Sequence, residues 1–294
     1  MAFMAEDPSM PWEVYVSPVS HFSPLNLTRT NPHLHDLALG QTDVIRWKSG
    51  DGLDIEGLLI KPVGFQSATR YPLLTAAHGG PAGVSTVSFH RLAQVFAGQG
   101  YAIFLPNPRG SAGYGEPFRR ANVKDWGYGD YRDIMSGIDA LIRQGIADRD
   151  KLGIMGWSYG GYMAAWAITQ TDRFRAAAVG AGTTNAYSIY GQTDIPEYYE
   201  AYFGAKPWEA IEAYQRHSPI FFAGNIKTPT LILHGEKDDR VPLPQSQELY
   251  QALKQNNVPV EFAISPRQGH VIREPKLLMD LRRRQLHWFN RWLR

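Results

Sequence analysis

The hexapeptide Gly156-Trp157-Ser158-Tyr159-Gly160-Gly161 constrains the fold of this chain more than any other stretch. A short apolar run, 152–155, precedes it and is typical of a buried strand, and the Ala-rich stretch 162–168 after it is typical of a buried helix. G-x-S-x-G between a strand and a helix forms a sharp turn that exposes the serine hydroxyl, and its small residues let the two elements approach closely. Taken alone, the motif leaves open a glycine-rich turn with an incidental serine.

Strand and helix patterns alternate along most of the chain. The predicted strands are 43–48, 53–60, 72–77, 101–105, 152–155, 176–179, 229–233 and 258–264, and the main predicted helices are 89–97, 130–143, 162–168, 244–255 and 275–293. Ser49-Gly50-Asp51-Gly52 favours a hairpin between the first two strands. A hairpin followed by alternating helices and strands indicates a mostly parallel sheet covered on both faces. Eight strands with the serine turn after the fifth match the α/β-hydrolase order, which predicts an α/β-hydrolase domain over 41–294.

Two stretches depart from this alternation. Residues 1–40 are proline-rich and weakly periodic, which predicts an extended arm with one short strand at 12–16. Residues 183–222 are rich in aromatic side chains, and we interpret them as an insertion of short helices over the site. Arg282-Arg283-Arg284 in the last helix could indicate an anionic partner, but a solvated face is the favoured interpretation.

Composition narrows the class of protein. Thirty basic residues balance 28 acidic ones, giving a net charge of +2 and no indication of a nucleic-acid partner. The chain has no cysteine, which excludes disulfides and cysteine-bound metal. The N-terminus has no signal-peptide pattern, and no apolar run approaches the roughly 18 residues of a membrane span. We therefore expect a soluble, cytoplasmic protein without a membrane partner.

A reactive serine needs an imidazole to take its proton and a carboxylate to orient that imidazole. In the α/β-hydrolase order the serine comes first, then the acid, then the histidine. His270 lies in the loop after the last predicted strand, on the same sheet edge as Ser158, and is the predicted base. His217 and His287 are predicted to be structural, and His234 is predicted to brace the acid loop.

The acid should come from the loop after the strand that ends at Leu233. This loop contains Glu236, Asp238 and Asp239, so the residues alone leave the choice open, with Asp238 preferred.

The donors for an oxyanion are predicted to be two backbone amides. The amide of Tyr159, the residue after the serine, supplies one, and Gly80 in His78-Gly79-Gly80-Pro81 supplies the other. The chain has neither H-E-x-x-H nor a phosphate-binding G-x-x-x-x-G-K-[ST] loop, so no cofactor and no metal are expected.

With these residues in place, the chain resembles the catalytic domain of the prolyl oligopeptidase family, nearest to its acylaminoacyl-peptidase and dipeptidyl-peptidase-like branch. The resemblance covers roughly residues 40–294 and rests on six blocks in order: Trp47-Lys48-Ser49-Gly50-Asp51-Gly52, His78-Gly79-Gly80-Pro81, Asn107-Pro108-Arg109-Gly110-Ser111, the serine hexapeptide, Asp238-Asp239-Arg240-Val241-Pro242 and Gly269-His270. It implies a serine peptidase with Ser158, Asp238 and His270 as its triad, because the family's acid is the first aspartate of the pair.

The resemblance also implies a substrate site. Arg240 would bind a substrate carbonyl through its guanidinium, the alternative being that it only pairs with Asp239. Tyr159 and Val241 would line the pocket for the residue before the scissile bond. Tyr187 and Tyr190 are expected to add to the same pocket. Arg109 is expected to tie its own loop together rather than contact substrate.

Family members usually carry a large β-propeller before this domain, whereas here about forty residues precede it. We expect an excised domain, a truncated gene product or an enzyme naturally without a propeller. The leading hypothesis is a serine peptidase that cleaves short or N-acylated peptides through an acyl-enzyme. The alternatives are a carboxylesterase using the same triad on small acyl esters, and a non-catalytic binding scaffold. A homo-oligomer contact through the aromatic insertion stays open.

Overall fold

The computed structural model describes residues 1–294, which form eleven strands and nine α-helices. The strands are β1 Ala2–Asp7, β2 Met10–Val16, β3 Leu25–Asn26, β4 Thr42–Lys48, β5 Asp54–Ile60, β6 Tyr71–Ala77, β7 Ala102–Asn107, β8 Ala147–Trp157, β9 Phe174–Gly180, β10 Thr230–Gly235 and β11 Val260–Ser265. The α-helices are α1 Arg91–Gly98, α2 Glu116–Arg120, α3 Gly129–Arg143, α4 Tyr159–Gln170, α5 Ala186–Tyr190, α6 Pro196–Phe203, α7 Ile211–Arg216, α8 Pro244–Gln255 and α9 Pro275–Leu293. Two 3-10 helices complete the list, Pro32–Asp36 and Pro219–Asn225.

Eight strands form one mixed sheet in the order β4-β5-β7-β6-β8-β9-β10-β11. Strand β5 is antiparallel to both β4 and β7, and all other neighbours are parallel. This order confirms the predicted α/β-hydrolase fold. The carboxyl ends of β6, β8, β10 and β11 share one edge of the sheet, because parallel strands end on the same side. The loops that carry the predicted site residues therefore meet at that edge.

Each face of the sheet has its own hydrophobic core. Helices α3, α4 and α8 cover one face and α1 and α9 cover the other. On α3 the apolar residues Ile134, Ile138 and Leu141 recur at helical spacing and are buried, and Ile142 on the same face is half-buried. Helix α4 is buried from Tyr159 to Thr169, which explains its nearly uniform apolar composition.

The N-terminal residues contain more structure than the single strand that was predicted. Strands β1, β2 and β3 form a separate antiparallel sheet. The turn between β1 and β2 is closed by Asp7, whose Oδ1 accepts the amides of Ser9 at 2.7 Å and Met10 at 2.9 Å. The sequence interpretation missed this hairpin because a local side-chain turn, rather than alternating hydrophobicity, defines it.

The predicted insertion consists of short helices, as expected. It contains α5, α6, α7 and the start of the second 3-10 helix, between β9 and β10. Its aromatic side chains pack around Trp126, which lies just before α3. None of the helices in the chain is long and apolar enough to cross a membrane.

Candidate active site

Ser158 lies at the turn between β8 and α4 with φ 61° and ψ −122°. This positive φ is a strained conformation for a residue with a side chain, and such strain concentrates at functional sites. Glycine is required on both sides: a Cβ on Gly156 would lie 2.2 Å from the carbonyl oxygen of Gly160, and one on Gly160 would lie 2.1 Å from that of Ala77. The turn therefore has the geometry that the hexapeptide predicted.

The predicted base and acid are hydrogen-bonded to each other. His270 Nδ1 lies 2.8 Å from Asp238 Oδ2, and Asp238 Oδ1 accepts the amides of Arg240 and Val241, each at 3.0 Å. Trp157 Nε1 donates to the His270 carbonyl oxygen at 2.8 Å and so ties the histidine loop to the serine turn. Ser158 Oγ makes no hydrogen bond with His270 in this structure, a bond that in many hydrolases tightens only when substrate binds.

The carboxyl group of Asp238, the predicted acid, is held in its ionised form. Burial raises the pKa of Asp238, but hydrogen bonds from His234 and His270 outweigh it and lower the pKa to about 2. His234 Nε2 lies 2.6 Å from the Val241 carbonyl and 3.4 Å from Asp238 Oδ2. Both neighbours are acceptors, so Nε2 carries the proton, and Nδ1 accepts from Ser246 Oγ at 2.6 Å. His234 thus braces the acid loop, as predicted.

The two amides predicted to hold an oxyanion are free of acceptors within the fold. Tyr159 is the first residue of α4, so its amide has no partner inside the helix. The Gly80 amide donates to no backbone or side-chain acceptor, while the Gly80 carbonyl accepts the Tyr198 hydroxyl. A Cβ on the neighbouring Gly79 would lie 3.6 Å from Ser158 Cβ, so this loop runs directly beside the serine.

Two of the predicted pocket residues are buried beside the site. Val241 is only 4% exposed and hydrogen-bonds to the acid loop through its amide and carbonyl. The ring of Tyr159 packs edge-on against Trp126 at 5.0 Å, and its hydroxyl donates to the carboxyl of Asp130. Burial raises the pKa of Tyr159 well above its ordinary value, so the hydroxyl keeps its proton.

Tyr190 contacts other parts of the insertion, and Tyr187 lies at the surface. Tyr187 is 42% exposed, and the Tyr190 hydroxyl donates to Glu200. The Tyr190 ring packs at right angles to Trp208, 5.6 Å away. No hydrogen bond or ring contact joins either tyrosine to Tyr159.

Sequence reasoning missed Trp126, Asp130 and Tyr198. Trp126 precedes α3 in an irregular segment, Asp130 is in the first turn of α3, and Tyr198 lies in α6. Each approaches the site only through tertiary contacts, so no local spacing could have identified them. His217 is structural as predicted, with Nδ1 2.7 Å from the Trp126 carbonyl.

Arg240 does not pair with Asp239, so that alternative is wrong. Its Nε lies 2.7 Å from Asp194 Oδ1 and its Nη2 lies 3.1 Å from Oδ2, a two-point contact with the insertion. Backbone contacts strengthen the link, because Asp194 N donates to the Asp239 carbonyl at 3.0 Å and Thr193 Oγ1 to the Arg240 carbonyl at 2.7 Å. The arginine Nη1 has no hydrogen-bond partner in the protein.

Arg109 connects separate elements rather than only its own loop. It makes a two-point contact with Asp133 of α3, at 2.8 Å from Nε and 2.7 Å from Nη2. Its Nη2 also lies 2.8 Å from Asp51 in the hairpin between β4 and β5. The hydrogen bonds that Arg109 donates to Asp133, opposed by burial, raise the pKa of Arg109. As expected, Arg109 has a structural role, but it reaches further than predicted.

Known proteins are similar to this chain over most of its length. The sequence model of the prolyl oligopeptidase family matches residues 87–294. The uncharacterized peptidase YuxL of Bacillus subtilis is 34% identical over 265 residues, which cover 90% of this chain and 40% of that protein. The acylamino-acid-releasing enzyme of Arabidopsis thaliana is 34% identical over 230 residues, covering 75% of this chain and 30% of that enzyme.

Solved structures give the same result. An acylaminoacyl peptidase of Pyrococcus horikoshii superposes with a TM-score of 0.92 at 33% identity, over 99% of this chain and 48% of that one. The chain thus spans less than half the length of these relatives. The family match covers more than two thirds of the chain and includes the serine turn, the acid loop and the histidine loop. This chain therefore belongs to the prolyl oligopeptidase family of peptidases.

Proposed function

We propose that this chain hydrolyses short peptides and N-acylated peptides through an acyl-enzyme on Ser158, with His270 as the base and Asp238 as the acid. The observation that carries the proposal is the 2.8 Å contact between His270 Nδ1 and a carboxylate whose pKa is about 2. An ionised carboxylate can only accept, so Nδ1 holds the proton and Nε2 is the basic nitrogen. That is the tautomer a serine hydrolase needs.

In this mechanism Ser158 Oγ attacks the substrate carbonyl carbon while His270 Nε2 takes the hydroxyl proton. The Gly80 and Tyr159 amides, which have no acceptor in the fold, donate to the oxygen as it gains charge. The carbon–nitrogen bond then breaks and the leaving amine takes the proton from Nε2. Water then gives a proton to the same nitrogen and attacks the ester carbonyl carbon. As the bond from that carbon to Ser158 Oγ breaks, Nε2 returns the proton to Oγ and the acid product leaves.

The preference for peptides rests on Arg240. Asp194 uses the Nε and Nη2 sides of the guanidinium and fixes its orientation, which leaves the Nη1 donors for a substrate carbonyl. A peptide offers such a carbonyl on the acyl side of the scissile bond, whereas a small ester does not. The names of the relatives, which include acylamino-acid-releasing enzymes, support N-acylated peptides as one substrate class. The cytoplasmic location and a homo-oligomer remain predictions.

The test compares hydrolysis of an N-acetyl-aminoacyl anilide with that of a short-chain p-nitrophenyl ester. We expect turnover of the anilide, loss of both activities in Ser158→Ala, and a selective rise in KM for the anilide in Arg240→Ala. Arg46→Ala is the matched control, because Arg46 makes an exposed pair with Glu56 away from the site. Ester cleavage alone, unaffected by Arg240→Ala, would indicate a carboxylesterase.

Labelling of Ser158 by a fluorophosphonate separates an enzyme from a binding scaffold. Labelling that requires both Ser158 and His270 would support the nucleophile and base assignments whichever substrate is preferred. An unreactive Ser158 in a folded protein would contradict the proposal and favour a non-catalytic scaffold.

A further inference from the structure

A cavity of about 280 Å³ lies behind the serine turn, on the sheet face covered by α1 and α9. Eight of its eleven lining residues are hydrophobic, among them Leu92 of α1, Trp157 of β8, Ile272 after β11 and Leu281 of α9. Neither Ser158 nor His270 lines it. Its volume is close to the lower limit of small-molecule sites, about 300 Å³. The cavity is therefore a separate space next to the candidate active site.

The polar lining is supplied by Arg282 and Gln285 of α9. Arg282 Nη1 donates to Gln285 Oε1 at 3.0 Å, and no carboxylate lies within 4.0 Å of the guanidinium. Its neighbours on the helix differ, since Arg284 pairs with Asp280 at 2.7 Å and Arg283 is exposed. The prediction that the three arginines form one solvated face is therefore wrong for Arg282, which lines the cavity.

The surroundings of Arg282 make this cation unusual. Burial lowers the pKa of its guanidinium, and the charge of Arg91 lowers it further. Glu274, just before α9, pairs with Arg267 rather than with Arg282. A half-buried cation without a counter-ion is unfavourable unless an anion accompanies it.

We propose that this cavity binds an apolar carboxylate, with the carboxylate on the Arg282 guanidinium and the hydrocarbon portion among Leu92, Trp157 and Leu281. A free fatty acid of medium length and an N-acyl amino acid share this chemistry. Either would replace a poorly compensated cation with a charge-assisted pair and bury its apolar part. The ligand would also contact residues next to both the serine turn and the histidine loop, since Trp157 precedes Ser158, Ile272 follows His270, and both line the cavity.

Calorimetric titration of the whole chain with octanoate tests the site without requiring enzymatic activity. We expect saturable binding at one site with a dissociation constant below about 1 mM. Octan-1-ol should bind more weakly, and octylammonium should not bind because Arg282 and Arg91 repel it. Equal affinity for octanoate and octan-1-ol would overturn the role of the cation, and no saturable binding of octanoate would overturn the site. N-octanoyl-glycine, titrated in parallel, distinguishes the two ligand sources.

Two pairs of matched variants locate the binding. Arg282→Gln should weaken octanoate binding about tenfold, whereas Arg283→Gln, its exposed neighbour, should not. Leu278→Trp should block the cavity that Leu278 lines and so weaken octanoate binding. Leu277→Trp is its control and should leave octanoate binding unchanged, because Leu277 is half-buried and lines a different depression. Unchanged affinity in a folded Arg282→Gln or Leu278→Trp protein would show that octanoate binds elsewhere and would overturn the proposal. Loss of the proposed hydrolysis would not change these titrations, so the two proposals fail separately.

Discussion

Asp238 and Asp130 are both buried carboxyl groups beside predicted catalytic residues, but their pKa values move in opposite directions. Burial raises the pKa of both groups. In Asp238 hydrogen bonds from His234 and His270 reverse this effect and bring the pKa to about 2. In Asp130 burial dominates, since the Tyr159 hydroxyl and the Tyr131 amide offset it only in part, and the pKa rises to about 7.

The difference arises from the elements that carry the two side chains. Asp238 lies in a loop that folds back on itself, so two amides converge on one oxygen and two imidazoles approach the other. Asp130 lies in the first turn of α3, and the negative charges of Asp133 and Asp125 raise its pKa further. Burial alone therefore does not determine the charge of a carboxyl group at this site; the hydrogen-bond donors and the charges around it do.

The largest expected effect comes from Asp238→Asn. The asparagine amide cannot hold His270 in the tautomer that leaves Nε2 basic, so kcat for the anilide should fall by about 10⁴. Hydrolysis rates measured at substrate saturation would show this loss. Binding of the same substrate to a Ser158→Ala background should change little, because Asp238 is not predicted to contact substrate.

Asp239→Asn is the matched control for this prediction. Asp239 is exposed, and only its backbone carbonyl has a partner, the Asp194 amide. It should therefore keep nearly wild-type activity. Comparable losses of kcat in the two variants would contradict the assignment of Asp238 and show that activity depends on the loop as a whole rather than on one carboxylate.

The sequence predicted the fold and the loops of the site well, for a physical reason. The periods of strands and helices, the glycine turns and the shared edge of parallel strands are local or topological features. They are sufficient to predict that Ser158, Gly80, Asp238 and His270 lie at one edge of the sheet. The N-terminal hairpin escaped prediction because the side chain of Asp7 defines it rather than a hydrophobic pattern.

The partners of the buried polar groups could not be predicted. The pairing of Arg240 with Asp194 joins residues 46 positions apart, and the bond from Tyr159 to Asp130 spans 29. Charge and chain order are compatible with several such pairs, and only packing of the insertion and of α3 selects one. The direction in which Arg282 points is a similar case, since three consecutive arginines look alike in the sequence.

Asp130→Asn should alter how stability depends on pH. Because the folded pKa of about 7 lies above the ordinary value of 3.8, the folded state keeps the proton where the unfolded state loses it. Wild-type stability should therefore fall as pH rises from about 4 to about 7, by on the order of 4 kcal/mol. Asparagine does not titrate, so the variant should lack this fall. Urea unfolding at about pH 4 and about pH 8 measures it.

The Asp130→Asn test compares the pH dependence of stability in the variant with that in the wild type, not the stability of either protein at one pH. The asparagine amide has one acceptor oxygen where the carboxyl has two, so either the Tyr159 hydroxyl or the Tyr131 amide loses its acceptor. This loss lowers the free energy of unfolding at every pH by about 1–3 kcal/mol. Only the relative gain of the variant at higher pH reports the charge of Asp130. Parallel pH curves for variant and wild type would mean that Asp130 is already ionised at low pH, and the contrast with Asp238 would disappear.

The smallest expected effect comes from Tyr159→Phe compared with Tyr162→Phe. Both hydroxyls are buried in α4, but that of Tyr159 donates to Asp130, whereas that of Tyr162 has no hydrogen-bond partner. Loss of the Tyr159 hydroxyl should lower the free energy of unfolding by about 1–3 kcal/mol, and more above pH 7 than below it, because the ionised carboxylate needs the donor most. Loss of the Tyr162 hydroxyl should be neutral or stabilising, since it removes an unpaired buried polar group. Urea unfolding measures both variants, and equal losses would show that Asp130 gains nothing from Tyr159 and that packing alone holds the two rings.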